Sequence, residues 1–185
     1  MIPAGPGAPP LRIRPTNEEI DAFVLDVTAG LLTRHGVAAA SMSMIASASG
    51  YSKAAVFHRF GSKDDLVDRA LARCVDLGEG VLARIDRRPP GPGRDRAALS
   101  AMRDLALERP GFIALALASV TVQERGEFSG RLDRLADAML AMFAIPLPAE
   151  RADPEPLFRA LGALSALATL SLFPSRAWTR PCAQG

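Results

Sequence analysis

The chain has 185 residues, 49% of them apolar and 23% charged, which is enough for one large domain or for a small module on a larger one. Its 22 basic and 20 acidic residues leave a net charge of only +2, so any surface for a polyanion must be local. The two cysteines, Cys74 and Cys182, fit neither a disulfide framework nor a zinc site, and no segment resembles a secretion signal or a membrane span. We therefore expect a soluble, cytoplasmic protein with reduced thiols, no metal, no cofactor and no membrane contact.

The first elements are a tail and a helix. The opening MIPAGPGAPP is rich in proline and glycine, and we expect residues 1–15 to form a disordered tail. Thr16 and Glu19 have the spacing of a capping box, and apolar residues then recur at steps of three and four as far as Leu31. This pattern predicts an amphipathic helix that ends near Gly36.

The next segment breaks at glycine or serine about every ten residues. Ser41 is placed to cap a short helix, Gly50 to supply a sharp turn, and Ser52 to cap a second short helix that ends near Phe60. The sequence therefore predicts a helix-turn-helix unit, whose second helix would enter the major groove of DNA.

The same segment is locally electropositive. Between Asp26 and Asp64 the chain contains no acidic residue. Its basic residues there are Arg34, Lys53, Arg59 and Lys63. Cations are needed where phosphates lie, so this gap in acidic residues favours a nucleic-acid contact.

The remainder of the chain predicts further helices. Ser62 and Asp65 have the spacing of a cap for a long helix that reaches Ile85 and is stopped by RRPPGPGR, residues 87–94. Three more helical stretches follow, at about 95–108, about 111–145 with a break near 126–130, and about 154–173. No run alternates with period two for long enough to form a strand, so we expect an all-α protein of about eight or nine helices.

Residues 41–66, SMSMIASASGYSKAAVFHRFGSKDDL, resemble the DNA-binding motif of the TetR family of transcriptional regulators. The residues in register are Ser41, Ile45, Ala46, Gly50, Ser52, Val56, Phe60, Lys63 and Leu66. The resemblance implies an N-terminal helix-turn-helix DNA-binding bundle, residues 16–63, a larger helical ligand-binding and dimerisation domain, residues 64–174, and a C-terminal tail, residues 175–185. It also implies a repressor that binds a palindromic operator in double-stranded DNA as a homodimer and is released by a small-molecule effector.

The resemblance assigns a role to individual positions. Ser41 and Lys63 would contact phosphates, and four residues would face base edges, namely Ser43, Lys53, Ala54 and Ala55. Lys53 is the main candidate for sequence discrimination, because a lysine can reach O6 and N7 of guanine. The predicted DNA-binding set is completed by Ser52, Phe57, His58 and Arg59.

Two of these positions depart from the family pattern. Phe57 stands where the family usually has tyrosine, so a hydroxyl that would bind a phosphate is missing and only packing of the ring is expected. Arg59 stands where the family usually has histidine, and it keeps a phosphate donor while making it permanently charged.

The last two predicted helices are the reason to expect a dimer. The earlier of the two has apolar residues at Leu132, Leu135, Met139, Leu140 and Phe143. Together with the uncharged last helix, it offers more apolar surface than a monomer of this length would easily cover, and the resemblance implies that these helices join two subunits. The alternative is that both helices simply pack on their own core.

The middle of the molecule is where the resemblance implies a ligand. The candidate lining residues are Met102, Phe112, Met139, Met142 and Phe143. Each of them could instead be ordinary core. The run from Pro110 to Gln123 is uncharged, which favours an apolar or amphipathic effector.

Other classes of function have weaker support. The sequence lacks any set of nucleophile, base and orienting group, so we do not expect an enzyme. Cys74 as a redox sensor is an alternative to Cys74 as a small apolar residue inside a helix. The main competing hypothesis is a non-catalytic helical scaffold or protein-interaction module whose basic segment binds an acidic partner.

Overall fold

The computed structural model describes residues 15–121, 129–146 and 153–172. Over these ranges the chain is all-α and forms eight helices. They are α1 (Asn17–Ala39), α2 (Met42–Ser49), α3 (Lys53–Phe60), α4 (Lys63–Ile85), α5 (Pro92–Glu108), α6 (Pro110–Thr121), α7 (Ser129–Ala141) and α8 (Pro154–Leu172). The predicted fold class is confirmed. Three predicted features lie outside the described residues. They are most of the break near 126–130, the tail at 1–15 apart from Pro15, and the tail at 175–185.

Local capping sets the start of the two longest helices. Thr16 accepts a bond from the Glu19 amide at 3.2 Å, and the Glu19 carboxylate accepts one from the Thr16 amide at 2.7 Å. Ser62 and Asp65 form the same reciprocal pair at the start of α4, and the bonds from Ser62 hold the pKa of Asp65 below its usual range. α1 leaves helical geometry at Gly36, where φ is +73°, which agrees with the predicted end of the helix.

Two groups of buried side chains organise the helices. The smaller one, the amino-terminal core, consists of Val24, Ile45, Ala46, Val56, Phe60 and Leu66. The large core contains residues of α1 and of α4 to α8, among them Leu32, Leu71, Met102, Phe112, Leu135 and Leu164. Helices α1 and α4 contribute side chains to both cores and so join them.

The predicted apolar surface of α7 is not exposed. The large core of the same chain buries Leu135, Met139, Leu140 and Phe143, and Leu132 is partly buried against it. The expectation that these side chains need a partner subunit is therefore wrong, because α7 packs between α4 and α6. On α8, by contrast, Phe158 remains 72% exposed.

A carboxylate of α1 caps the start of α6. Asp26 is buried, and its Oδ1 accepts a hydrogen bond of 2.9 Å from the Phe112 amide. Arg109, which precedes α6, has no side-chain oxygen to cap that helix, so a residue 86 positions away in sequence supplies one. Burial raises the pKa of Asp26 from 3.8 to about 6, although the amides of Gly111 and Phe112 and the charge of Arg109 favour the ionised form.

The contact between α1 and α6 is close at the level of the backbone. A Cβ atom on Gly111 would lie 1.8 Å from the backbone oxygen of Asp26. Nearby, the buried thiol of Cys74 donates to the carbonyl of Phe112 at 3.3 Å, and burial raises the pKa of that thiol. These features favour the reading of Cys74 as a packed, unreactive side chain over that of a redox sensor.

Arg94 ties the end of α4 to the end of α7. Its guanidinium is buried and donates to the carbonyls of Asp86 and Arg88 on one side and of Ala141 and Met142 on the other. It also forms an ion pair of 3.0 Å with the carboxylate of Asp86. Its donors are thus used on chain carbonyls that would otherwise be left unpaired where the two helices end.

In the described residues no helix combines the length and the apolar character needed to cross a membrane. The same part of the chain brings no three histidine, cysteine or acidic side chains together in a way that could hold a metal ion.

Replacing Gly111 tests the α1–α6 contact. We expect Gly111→Ala to lower the free energy of unfolding by about 1 to 3 kcal/mol, because the added methyl group meets rigid backbone. Gly80→Ala is the matched control, since a Cβ there meets nothing within 4 Å in the middle of α4. This control should gain about 0.5 to 1 kcal/mol. If urea denaturation gave the same change in the free energy of unfolding for Gly111→Ala and Gly80→Ala, the close approach of the α1 and α6 backbones would be refuted.

Replacing Asp26 tests the buried carboxylate. The pKa is higher in the folded than in the unfolded chain, so the folded state binds the proton more tightly and the contribution of Asp26 to stability falls as pH rises from about 4 to about 6. A shift of this size corresponds to about 3 kcal/mol. Between about pH 4 and pH 6, the free energy of unfolding of Asp26→Asn should therefore rise by about 3 kcal/mol relative to that of the unchanged protein. Above that range the difference should level off. A difference that is constant with pH would contradict the assignment.

Candidate nucleic-acid interface

Helices α2 and α3 form the predicted helix-turn-helix. Ser41 caps α2 by accepting from the Met44 amide at 3.2 Å, and Ser52 caps α3 by accepting from the Ala55 amide at 3.1 Å. Gly50 ends α2 in the left-handed region, with φ at +73°, which costs glycine little and other residues more. The amide of Tyr51 then bonds to the carbonyl of Ala46 at 3.1 Å and closes the turn.

One face of this unit is buried and fixes its position. Ile45 and Ala46 of α2 meet Val56 and Phe60 of α3 in the amino-terminal core. Arg69 of α4 also lies over the Phe60 ring, 5.8 Å from its centroid. Because α3 has only eight residues, this packing rather than its own helical propensity holds it in place.

The opposite face carries most of the predicted DNA-binding residues. The exposed side chains are Ser43, Ser52, Lys53, Ala54, Ala55, Phe57 and His58. Neither α2 nor α3 has an acidic residue in its first turn, so the positive end of each helix dipole is not neutralised locally. This arrangement suits an anion such as a phosphate near the helix ends and leaves the first turn of α3 free for base edges.

Two aromatic residues of α3 behave differently. Phe60 is buried, whereas Phe57 is 58% exposed. The expectation that the Phe57 ring packs against the protein is therefore wrong. An exposed ring on this face is available to a partner, and it lacks the hydroxyl that tyrosine would offer there.

The two predicted lysine contacts also have different surroundings. Lys53 is exposed at the start of α3, as a base-reading side chain requires. Lys63 is partly buried, and its ammonium group donates to the carbonyl of Ala38 at 3.2 Å. Lys63 is thus held at the junction between the ends of α1 and α3, where one of its three protons is already used.

Arg59 is committed to an intramolecular ion pair. Its Nε donates to the carboxylate of Asp21, and its Nη2 donates to both the backbone and the side-chain oxygen of Asn17 at 2.9 Å. Sequence reasoning treated Arg59 as a phosphate donor and overlooked Asp21 and Asn17. The sequence places Asp21 and Asn17 in an amphipathic helix that precedes the acid-free segment. No local pattern identifies them as partners of Arg59.

The predicted ligand-binding residues do not converge on one open site. Met102, Phe112, Met139 and Met142 are each at most 1% exposed and belong to the large core. Phe143 is the member of that set that lines a described cleft of about 520 Å³. The walls of this cleft also include Pro90, Gly91, Asp95, Leu99, Ala144, Pro156, Arg159, Ala160 and Ala163.

Comparison with known proteins agrees with the helix-turn-helix geometry. Residues 24–70 match the family model described as bacterial regulatory proteins, tetR family, and this range spans most of α1, all of α2 and α3, and the start of α4. No curated protein matched the chain.

Two solved structures resemble the chain more loosely. The crystal structure of AmtR from Mycobacterium smegmatis is 24% identical and covers 87% of this chain and 90% of its own, with a TM-score of 0.43. That of a TetR-family regulator from Streptomyces coelicolor A3 is 21% identical and covers 85% and 97%, with a TM-score of 0.35. Both TM-scores are too low to support an argument from overall shape.

The family match falls on the same four helices in which the caps, the left-handed turn and the exposed face of α3 were found. Residues 24–70 thus match the DNA-binding segment of the TetR family of transcriptional regulators, both in sequence and in the helix-turn-helix that they form.

Proposed function

We propose that the protein is a dimeric repressor that binds a palindromic operator and is released by a small apolar or amphipathic effector. The DNA-binding part of this proposal rests on one observation, the exposure of the first turn of α3. Lys53, Ala54 and Ala55 are all exposed there, directly after the cap residue Ser52. Regulators of this family are non-catalytic.

Within this proposal the exposed face divides into two kinds of contact. Lys53 reads a guanine in each half-site, and the methyl groups of Ala54 and Ala55 contact thymine methyl groups. Ser41 and Lys63 bind phosphates on either side and fix the register without reading sequence. Ser43 lies at the edge of the groove and adds a base contact.

One helix-turn-helix reads few base pairs, so two copies are needed for useful specificity. Because the apolar side chains of α7 are covered within its own chain, we place the dimer contact mainly on α8. Its exposed side includes Phe158 and Ser165 beside Gly162, where a Cβ would meet nothing within 4 Å. An exposed ring next to small residues suits close packing against a second copy.

The effector is proposed to occupy the cleft lined by Phe143. Leu99 and Ala160 make part of it apolar, while Asp95 and Arg159 bring charges to its rim, and its volume is in the usual range for small-molecule sites. A ligand that binds better when the cleft is wider would shift α5 and α8 and, through the large core, α4. Repression would then be lifted by a change in the spacing of the two α3 helices.

We also propose that the division between the domains lies at the start of α4, near residues 63 and 64. The capping box of Ser62 and Asp65 begins a new helix at this point, and Leu66 in the first turn of that helix packs back against the amino-terminal core. The competing hypothesis of a scaffold with an acidic protein partner lacks an observation of its own in the described residues, and the salt dependence described below separates the two.

Replacing the two lysines tests the division of roles. Operator sequences are first selected from a random duplex pool, and affinities are then measured over a range of salt concentrations. Lys53→Ala should relax the preference at one position of each half-site by about 1 to 3 kcal/mol. Lys63→Ala should weaken cognate and random duplexes alike and reduce the log–log salt slope by about 0.9 per subunit.

Arg103→Ala is the control for loss of charge, since Arg103 is exposed on α5 and pairs with its neighbour Asp104. It should leave both affinities unchanged. If Lys53→Ala lowered the affinity for cognate and random DNA by the same factor, as expected for Lys63→Ala, the assignment of Lys53 to base reading would be refuted. A binding curve insensitive to salt would favour the scaffold hypothesis.

Replacing Phe57 tests its exposed position. Phe57→Tyr should raise affinity for all duplexes by about 0.5 to 1.5 kcal/mol per subunit, because the new hydroxyl can donate to a phosphate. It should change stability by less than about 0.5 kcal/mol, since the ring is mostly solvated. Phe57→Leu, which removes the ring without adding a donor, should give no gain. An affinity of the tyrosine variant that is no higher than that of the unchanged protein would place Phe57 away from the DNA backbone.

A further inference from the structure

Arg59 joins the last turn of α3 to the first turns of α1. Its side chain is 27% exposed and that of Asp21 is 40% exposed, so the pair is partly shielded from water. The bond from Nε to Asp21 and the two bonds of 2.9 Å from Nη2 to Asn17 use two of the three guanidinium nitrogens. Without breaking these bonds, Arg59 could offer a phosphate only the N–H groups of Nη1 and not its full fork.

The contacts of α3 explain why such a link matters. Val56 and Phe60 anchor one face of the helix in the amino-terminal core, and an apolar contact of this kind is non-directional. Arg59 adds a directional, forked contact on a side that the core does not reach. The start of α1 is itself fixed by the capping box of Thr16 and Glu19. The fork therefore links the last turn of α3 to the capped start of α1.

We propose that Arg59 is a positioning residue, which sets the orientation of α3 through Asp21 and Asn17 instead of gripping a phosphate. The proposal rests on the proposed reading of DNA by α3. In it, the tilt fixed at the end of α3 determines where Lys53, six residues earlier at the start of the same helix, meets the base edges. This role replaces the phosphate contact expected for Arg59 from the sequence.

A charge-swap experiment tests the proposal. The variants are Arg59→Ala, Asp21→Ala, the double alanine variant and the swap Arg59→Asp with Asp21→Arg. Affinities are measured for a selected operator duplex and for a random duplex at several salt concentrations, and thermal melts check that each variant is folded. Arg59→Lys is included because it keeps the charge but loses the fork.

The positioning role predicts a specific pattern. Each single alanine variant loses about tenfold in affinity for the selected duplex, in the range of measured couplings between contacting residues. The double variant is no weaker than the single ones, the salt slope is unchanged, and the swap recovers most of the loss. Arg59→Lys behaves like Arg59→Ala, because a point charge cannot replace the fork.

Three results would overturn the proposal. The first is a salt slope that falls by about 0.9 per subunit in Arg59→Ala, which indicates a phosphate contact. The second is tighter binding by Asp21→Ala, as expected if Asp21 only sequesters a phosphate ligand. The third is a swap that binds no better than the single variants. If the unchanged protein shows no preference for the selected duplex, the proposed function itself fails, and that outcome is distinct from the other three.

Discussion

The fold depends on α1 being held at two places along its length. Its first half contributes Val24 to the amino-terminal core, and its second half contributes Leu32 to the large core. Between them, Asp26 caps α6 at a point where only glycine at position 111 allows the two backbones to approach. Burial makes this carboxylate costly to ionise, and the amides of Phe112 and Gly111 offset part of that cost.

This constraint links the two ends of the molecule. A displacement of α6 cannot leave Asp26 undisturbed, and α1 also carries Asp21 and Asn17, which contact α3 through Arg59. A second route runs along α4, which α7 engages through an ion pair of 2.6 Å between Arg131 and Asp68. Helices α1 and α4 each contribute side chains to both cores, so packed side chains connect the large core with the α2–α3 unit.

The sequence was sufficient wherever the determining contacts are local. The caps at Thr16, Ser41, Ser52 and Ser62 and the turn at Gly50 follow from residues within three or four positions, and all five are found as predicted. The contacts that were missed join distant positions. They are Arg59 with Asp21, Arg94 with Met142, and Asp26 with Phe112, separated by 38, 48 and 86 residues. No local pattern distinguishes such a charged residue from a solvated one, and the same limit explains why the apolar face of α7 was assigned to a partner instead of to α4 and α6.

In the proposed function, the first turn of α3 enters the major groove of duplex DNA once in each of two half-sites. Methylation protection at guanine N7 reports on this groove directly, because N7 is exposed only there. With a selected operator, we expect two protected patches centred about one helical turn, or a multiple of one, apart on the duplex. Guanines that stay fully reactive at protein concentrations that saturate the site would contradict it.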